Sequence, residues 1–391
     1  MTDLPPIYLL TGEFPPRIGG IADYTARLAE SLQDLGLDVV VLIGRDHPLA
    51  RDGSVPAERL ASSVAGWGLL PAVAQRIGTE SCVVHIQYQT GAFGMHPAIN
   101  VLPSWLRWRR PGARTIVTCH DVRLPYLFPK AGRLRDLVMH WMIDHSSAAT
   151  FSNEADRRWA GGQPTHTLIP IGSGVPVVPG SDDSAHGAGE SFRLGYFGFM
   201  NATKGVRTLL EAVAGLVADE RNIRLVFIGD ALGDADATNS RTRARLEDDI
   251  VGLGLADYIE RTGALPLHDV SAELQRCHAL VFPFDDGASF RRSSLTAALV
   301  HARPTITTLL PNGENGIPGF ESGESVLLVP PGNVAALTRA IATLMDDDEL
   351  RSRLSAGAAV ASERLQWPRI AESVRQVYAS VTPTRSTEAV R

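Results

Sequence analysis

Short apolar runs recur along the chain, each leading into a polar or glycine-rich loop and then into a segment with apolar positions at helical spacing. Ile7–Leu10 predicts a buried strand. Ala22, Leu28, Ala29, Leu32 and Leu35 follow on one helical face, and Val39–Ile43 supplies the next strand, which makes a β–α–β unit. Further strand-like runs stand at Cys82–Ile86, Thr115–Cys119 and Ala148–Ser152. After Pro179–Glu190, a Gly, Ser, Asp and Ala stretch that has little to bury and reads as a linker, the alternation starts afresh. Its strands are Arg193–Phe197, Ile223–Ile228, Ile259–Thr262, Ala279–Phe282, Thr305–Thr308 and Ser325–Val329. The pattern predicts two α/β domains, 1–178 and 191–365, each a parallel sheet covered by helices, with ligands beyond the carboxyl ends of the strands and in a cleft between the domains.

Those strand ends hold the candidate chemistry. Arg193–Phe197 gives way at Gly198 to a polar loop, and Lys204-Gly205 then opens a helix with Val206, Leu209, Leu210 and Val213 on one face. A strand–loop–helix junction gathers unpaired N–H groups and the positive end of a helix, and a lysine there adds a full charge, so the junction is a candidate anion site. Gly19-Gly20, just before the first helix, offers a backbone that a ligand can approach, although a simple turn explains the pair as well. It is not the G-x-G-x-x-G dinucleotide fingerprint. Other strands run into Gln87-Tyr88-Gln89, His120-Asp121 and Asn153-Glu154. His120 with Asp121 could bind sugar hydroxyls or handle a proton, whereas Asn153 and Glu154 also suit a helix N-cap. Ser104–Arg110 interleaves two tryptophans with basic residues. It reads either as a dock for an anionic membrane or as a surface helix whose tryptophans pack inward.

Composition narrows the classes. The 391 residues exceed one ordinary core, and 44% hydrophobic with 20% charged residues is usual for soluble globular protein. A formal net charge of -6 argues against a nucleic-acid partner. Cys82, Cys119 and Cys277 are odd in number and sit in apolar runs, which suits buried thiols in a reducing compartment. With no signal-like N-terminus and no spanning apolar run, the expectation is a cytoplasmic protein, with peripheral contact at the inner face of the membrane through Ser104–Arg110 as a variant of it. No carboxylate-rich metal cluster stands out, and no cofactor is expected.

Taken in order, several segments resemble one family over nearly the whole chain. They are Phe14-Pro15-Pro16 with Gly19-Gly20, Thr118-Cys119-His120-Asp121, Ile169-Pro170-Ile171-Gly172, Gly198 to Gly205, Thr262–Pro266, Val281–Phe284, Val329–Asn333 and Trp367–Ile370. The family is the family-4 retaining glycosyltransferases of the GT-B fold, in which two Rossmann-like α/β domains face each other across a cleft. The resemblance implies an acceptor-carrying first domain, a second domain for a nucleotide-sugar donor, a strand at Ile169–Gly172 before the linker, and a final helix, about 366–381, packed back on the first domain. Lys204 falls on the family's phosphate lysine. Two positions depart from the pattern: the arginine usual in the phosphate loop is Phe199 here, and the second of the paired glutamates, which holds the donor ribose, falls on Ala297. These departures mark a variant subgroup, and Arg291, Arg292, Ser293 and Ser294 at a helix start offer guanidinium and hydroxyl donors in compensation.

The expected reaction moves a sugar, with retention and without a metal, from a nucleotide-diphosphate sugar to a glycan, lipid-linked or small-molecule acceptor. The expected catalytic groups are Lys204, His120, Arg291 and Arg292, with Gly19, Gly20, Gly198, Asn201, Thr203, Ser293, Ser294 and Leu295 on the donor. Gln87, Tyr88, Gln89, His96 and Asp121 are expected on the acceptor. A non-catalytic nucleotide- or glycan-binding protein and a nucleotide-sugar epimerase of the same fold are the alternatives.

Overall fold

The structure, a computed structural model, describes residues 4–17, 19–48, 55–122, 132–178, 190–198, 204–229 and 237–382. Most of the linker predicted at Pro179–Glu190 lies outside them. Two compact units result: Met1–Gly174 with Trp367–Arg391, and Val175–Gln366.

The strands of the first unit are β1 (Ile7–Thr11), β2 (Val39–Ile43), β3 (Ala57–Arg59), β4 (Cys82–Tyr88), β5 (Ala113–Cys119), β6 (Ala148–Phe151) and β7 (His166–Leu168). They form one parallel sheet in the order β3-β2-β1-β4-β5-β6-β7. Its helices are α1 (Gly20–Asp34), α2 (Leu69–Ile77), α3 (Ala98–Arg109), α4 (Gly132–His145) and α5 (Glu154–Trp159). A central parallel strand is covered on both faces, which is why every residue of β4 is buried, the polar His85 and Gln87 included. β3 and β7, not anticipated from sequence, are three-residue strands carried by the ladder of their neighbours. The strand expected at Ile169–Gly172 is displaced to β7. The Ile169 N–H still bonds Phe151 O, but Pro170 has no N–H with which to continue the ladder.

The second unit repeats the plan. β8 (Phe192–Phe197), β9 (Ile223–Ile228), β10 (Ile259–Arg261), β11 (Ala279–Phe282), β12 (Thr305–Thr308) and β13 (Leu327–Val329) form a parallel sheet in the order β10-β9-β8-β11-β12-β13. Its helices are α6 (Val206–Ala218), α7 (Ala237–Gly252), α8 (Leu267–Arg276), α9 (Ser293–Val300), α10 (Val334–Asp346) and α11 (Asp348–Ala361). In both sheets the order reverses between two central strands, β1 and β4 in the first and β8 and β11 in the second, and ligands of such sheets sit at that switch.

The last helix, α12 (Trp367–Val381), belongs to the first unit. Ile370, Ala371, Val374, Val377 and Tyr378 repeat at helical spacing and bury one stripe beside α1. A polar chain crosses this apolar interface. The Tyr378 hydroxyl lies 2.7 Å from His85 Nδ1, His85 Nε2 lies 2.7 Å from Thr118 Oγ1, and that oxygen lies 2.7 Å from Thr150 Oγ1. Burial, and then the neighbouring His120, push His85 down to about 3, so it is a neutral imidazole satisfied on both nitrogens. The three cysteines are free and buried, as their apolar surroundings predicted.

Candidate active site

In the second unit the chain leaves β8 at Gly198 with φ of 121°, and a Cβ there would stand 3.1 Å from Ser294 Cβ, so Gly198 itself lies directly against the start of α9. The loop ends at Lys204-Gly205. Gly205, just before α6, is left-handed, with φ of 64° and ψ of 23°, and a Cβ on it would fall 1.8 Å from Pro283 O. Only glycine fits, and the contact ties the loop after β8 to the loop after β11. Asp285, on the second loop, reinforces the tie by accepting the Gly205 N–H.

This packing sets two cations against one aromatic ring. Lys204 Nζ lies 5.0 Å from the centroid of Phe284, and the Arg292 guanidinium lies 4.7 Å from the same centroid. Asp286 forms an ion pair with Arg292. Burial, and then the Arg292 charge, lower Lys204 from the usual 10.5 to about 8, against the pull of Asp286. Lysine therefore stays protonated at neutral pH in a place where its charge is under-compensated. Next to it α9 begins without a side-chain cap. Its first intrahelical bond runs from the Thr296 N–H to Arg292 O, which leaves the N–H groups of Ser293, Ser294 and Leu295 ahead of it. Two cations and a helix N-terminus converge on one point at the carboxyl ends of β8 and β11, an arrangement suited to a diphosphate.

The predicted donor residues occupy different surroundings. Leu295 buries its side chain in the core, so it offers only its N–H; Ser294 is buried against Gly198, and Ser293 is exposed. Arg291 is exposed, while Arg292 both pairs with Asp286 and stands beside Lys204, so the two arginines separate. Phe199, Asn201 and Thr203 lie outside the described residues. Ala297 is fully buried in the hydrophobic core, and a glutamate at that position would enter the core.

In the first unit, α1 starts at Gly20, where added Cβ bulk would meet nothing within 4 Å, and Gly19 before it is extended with φ of 173°. The first helical bond runs from Asp23 N–H to Gly19 O, which leaves the earlier N–H groups of α1 as donors. His120, half-buried at the end of β5, places Nε2 3.0 Å from Gln87 Oε1 and meets the ring of Tyr24 edge-on at 4.7 Å. Burial holds His120 at about 4, so it is neutral at pH 7. With Nε2–H given to Gln87, Nδ1 is left as an acceptor for a hydroxyl. Gln87 is fully buried, and its Nε2 has no hydrogen-bond partner among the described residues.

Alternation along β4 separates the other acceptor candidates. Tyr88 points to the opposite face from Gln87, packs parallel to Phe93 and bonds Thr90 and Asn100 through its hydroxyl, so it is buried away from His120. His96 accepts the Ala98 N–H through Nδ1 and meets Trp67 edge-on, which makes it an anchor for the start of α3. Gln89 and Asp121 are half-buried at strand ends. Asn153 is an N-cap, accepting the Asp156 N–H, and Glu154 pairs with Arg157 and Arg158. Of the α3 tryptophans, Trp105 packs inward, whereas Trp108 is 76% exposed between Arg107 and Arg109.

Residues 19–172 match the family model described as a glycosyl transferase 4-like domain, and residues 191–347 match glycosyl transferases group 1. The chain belongs to the family-4-type glycosyltransferases of the GT-B fold. Among curated members, a phosphatidyl-myo-inositol mannosyltransferase of Mycobacterium leprae is 27% identical over 183 residues, 47% of this chain and 45% of that one. The alpha-D-kanosaminyltransferase of Streptomyces kanamyceticus is 27% identical over 165 residues, 42% of this chain and 39% of that one. The matches thus span less than half the length of these relatives. Among solved structures, a sucrose-phosphate synthase from Thermosynechococcus elongatus superposes with a TM-score of 0.72 at 18% identity, covering 96% of this chain and 98% of its own. Anabaena HepE, solved in complex with UDP, has a TM-score of 0.72 at 19% identity, covering 96% of this chain and 100% of its own.

In each unit one residue that shapes these arrangements was not singled out in the sequence. In the second unit Phe284 closes the Val281–Phe284 run, which says nothing of the two cations packed on its ring. His47 accepts the Phe14 N–H at 3.2 Å and so holds the loop before α1, across a gap that no local pattern reports.

Proposed function

We propose that this glycosyltransferase transfers a sugar from a nucleoside-diphosphate sugar to a glycan, lipid-linked or small-molecule acceptor, with retention at the anomeric carbon and without a metal ion. The observation that carries the reading is the convergence of Lys204, Arg292 and the α9 N-terminus. As the glycosidic bond to the diphosphate breaks, negative charge grows on the leaving oxygens. Donors already oriented at that point stabilise it without reorganising. Lys204 supplies a compact charge, Arg292 a planar fork, and Ser293 to Leu295 supply N–H groups at the positive end of a helix. Among the described residues no cluster of three or more His, Cys, Asp or Glu could hold a metal.

His120 is assigned to a hydroxyl of the transferred sugar or acceptor, as a neutral acceptor at Nδ1 rather than as an acid. HepE has also been solved with UDP-glucose, a nucleotide-diphosphate sugar of the class proposed here as donor. No helix among the described residues is long and apolar enough to cross a membrane. Peripheral membrane contact through exposed Trp108, flanked by Arg107 and Arg109, belongs to the same proposal.

The test is a thermal-shift screen of nucleoside-diphosphate sugars, followed by transfer reactions with and without a chelator and NMR assignment of the product anomer. Donor-dependent stabilisation, chelator-resistant transfer and a retained anomer are expected. Binding without turnover would favour a non-catalytic protein, and isomerised donor without any acceptor would favour an epimerase.

A further inference from the structure

The first unit carries an open cavity of about 580 Å³ at the amino ends of β5, β6 and β7, the end of the sheet opposite His120. The last turns of α3, α4 and α12 complete its wall. Its charge is one-sided: Arg107, Arg114 and His145 line it, and no aspartate or glutamate does, although the whole chain carries a net charge of -6. Arg107 has no carboxylate partner among the described residues, and Arg114 donates only to Pro111 O, at 3.3 Å. His145 uses Nδ1 on Trp141 O at 2.8 Å, which leaves Nε2 as its second polar atom. The hydroxyls of Ser147 and Thr165 also line the space and form no side-chain hydrogen bond with any described residue.

Two guanidinium groups without a carboxylate partner and two hydroxyls without a side-chain hydrogen bond, gathered around one volume, are a set of donors suited to an anion. The size falls within the range of small-ligand sites, roughly 300–1,000 Å³. Val377 and Val381 of α12 supply an apolar wall for a carbon skeleton.

We infer that this cavity is a second ligand site, separate from the donor residues, and that it takes a phosphate ester. Arg107 and Arg114 hold the phosphate oxygens, and the hydroxyls of the strand ends complete their hydrogen bonding. Such a group has two sources, a soluble phosphate ester or the headgroup of an anionic lipid. The second source is kept in view by Trp141, 50% exposed and stacked on His145 at 4.0 Å, and by Trp108, the neighbour of Arg107. The inference does not depend on the glycosyl transfer proposed above, because its test reads binding alone.

The experiment compares the full chain with Arg107→Gln, Arg114→Gln and the double variant. Titration calorimetry uses sn-glycerol 3-phosphate as the soluble probe. Co-sedimentation uses phosphatidylcholine vesicles with and without phosphatidylglycerol as the lipid probe. Arg107 is exposed on the last turn of α3, so its glutamine variant keeps the fold, which far-UV circular dichroism checks. Each single variant should weaken binding about ten-fold or more, as expected for loss of a charge-assisted bond, and the double variant should abolish it. Loss of glycerol phosphate binding in the variants assigns a soluble ester. Loss of binding to phosphatidylglycerol vesicles alone assigns a lipid headgroup. The inference is overturned if the wild type takes neither probe, or if the double variant binds like the wild type.

Discussion

Replacing Lys204 by methionine should stabilise the ligand-free protein while removing its affinity for a diphosphate. The reason is the charge surplus around Phe284, where burial and Arg292 lower Lys204 from 10.5 to about 8. At ~1.4 kcal/mol per pH unit, holding this lysine protonated in the empty site costs at most about 3.5 kcal/mol, and less to the extent that solvent screens it. Methionine keeps an unbranched stem over the ring and carries no charge to desolvate. The sign follows from linkage. The folded-state value is depressed, so the cost is complete below about pH 8 and fades as pH rises toward the unfolded value near 10.5.

The variant should therefore exceed the wild type by ~1–3 kcal/mol at pH 7, and the gap should narrow by pH 10. A saturating nucleoside diphosphate should reverse the order at pH 7, since it stabilises the wild type by about 4.1 kcal/mol at a thousand-fold excess over Kd. Urea unfolding followed by far-UV circular dichroism is the assay. All six tryptophans lie in the first unit, so tryptophan fluorescence does not report on the unit that holds Lys204. A variant no more stable than the wild type at pH 7, or a gap that is the same at pH 10, would refute the reasoning.

Arg292→Lys should weaken nucleoside-diphosphate binding about ten-fold or more, because a point charge replaces a planar fork, while Arg291→Lys should leave it unchanged; calorimetry on both variants decides. Gly205→Ala should destabilise the second unit by ~2–4 kcal/mol, since its Cβ would fall 1.8 Å from Pro283 O at a left-handed φ, and unfolding followed by circular dichroism reads the loss. His85→Leu should cost ~2–4 kcal/mol in first-unit stability, seen by tryptophan fluorescence, because Tyr378 and Thr118 are left without their buried partner. Turnover should show no ionisation from His120 between pH 5 and 8, because burial holds it at about 4; a step near 6.5 that disappears in His120→Gln would contradict its neutral role.

The sequence alone determined the doubled α/β plan, the positions of its central strands and the junction at Lys204-Gly205. These are local matters: a strand buried on both faces reads as a largely apolar run, and a glycine-ended loop before a helix is visible within a few residues. Edge strands were not legible, since β3 and β7 are three residues long and owe their pairing to neighbours rather than to their own pattern. In β4, Val83, His85 and Gln87 alternate with Cys82, Val84, Ile86 and Tyr88, so the pattern groups the side chains by face without telling what each face packs against. Only the sheet's packing put Gln87 beside His120 and sent Tyr88 into the core. Partner choice was the last thing left to the tertiary structure. Asp286 pairs with Arg292, Phe284 carries both cations, Tyr378 reaches His85 across most of the chain, and strand ends and helix ends together line the cationic cavity. Each of these contacts joins segments that meet only after the sheets have assembled, so no window of sequence contains them.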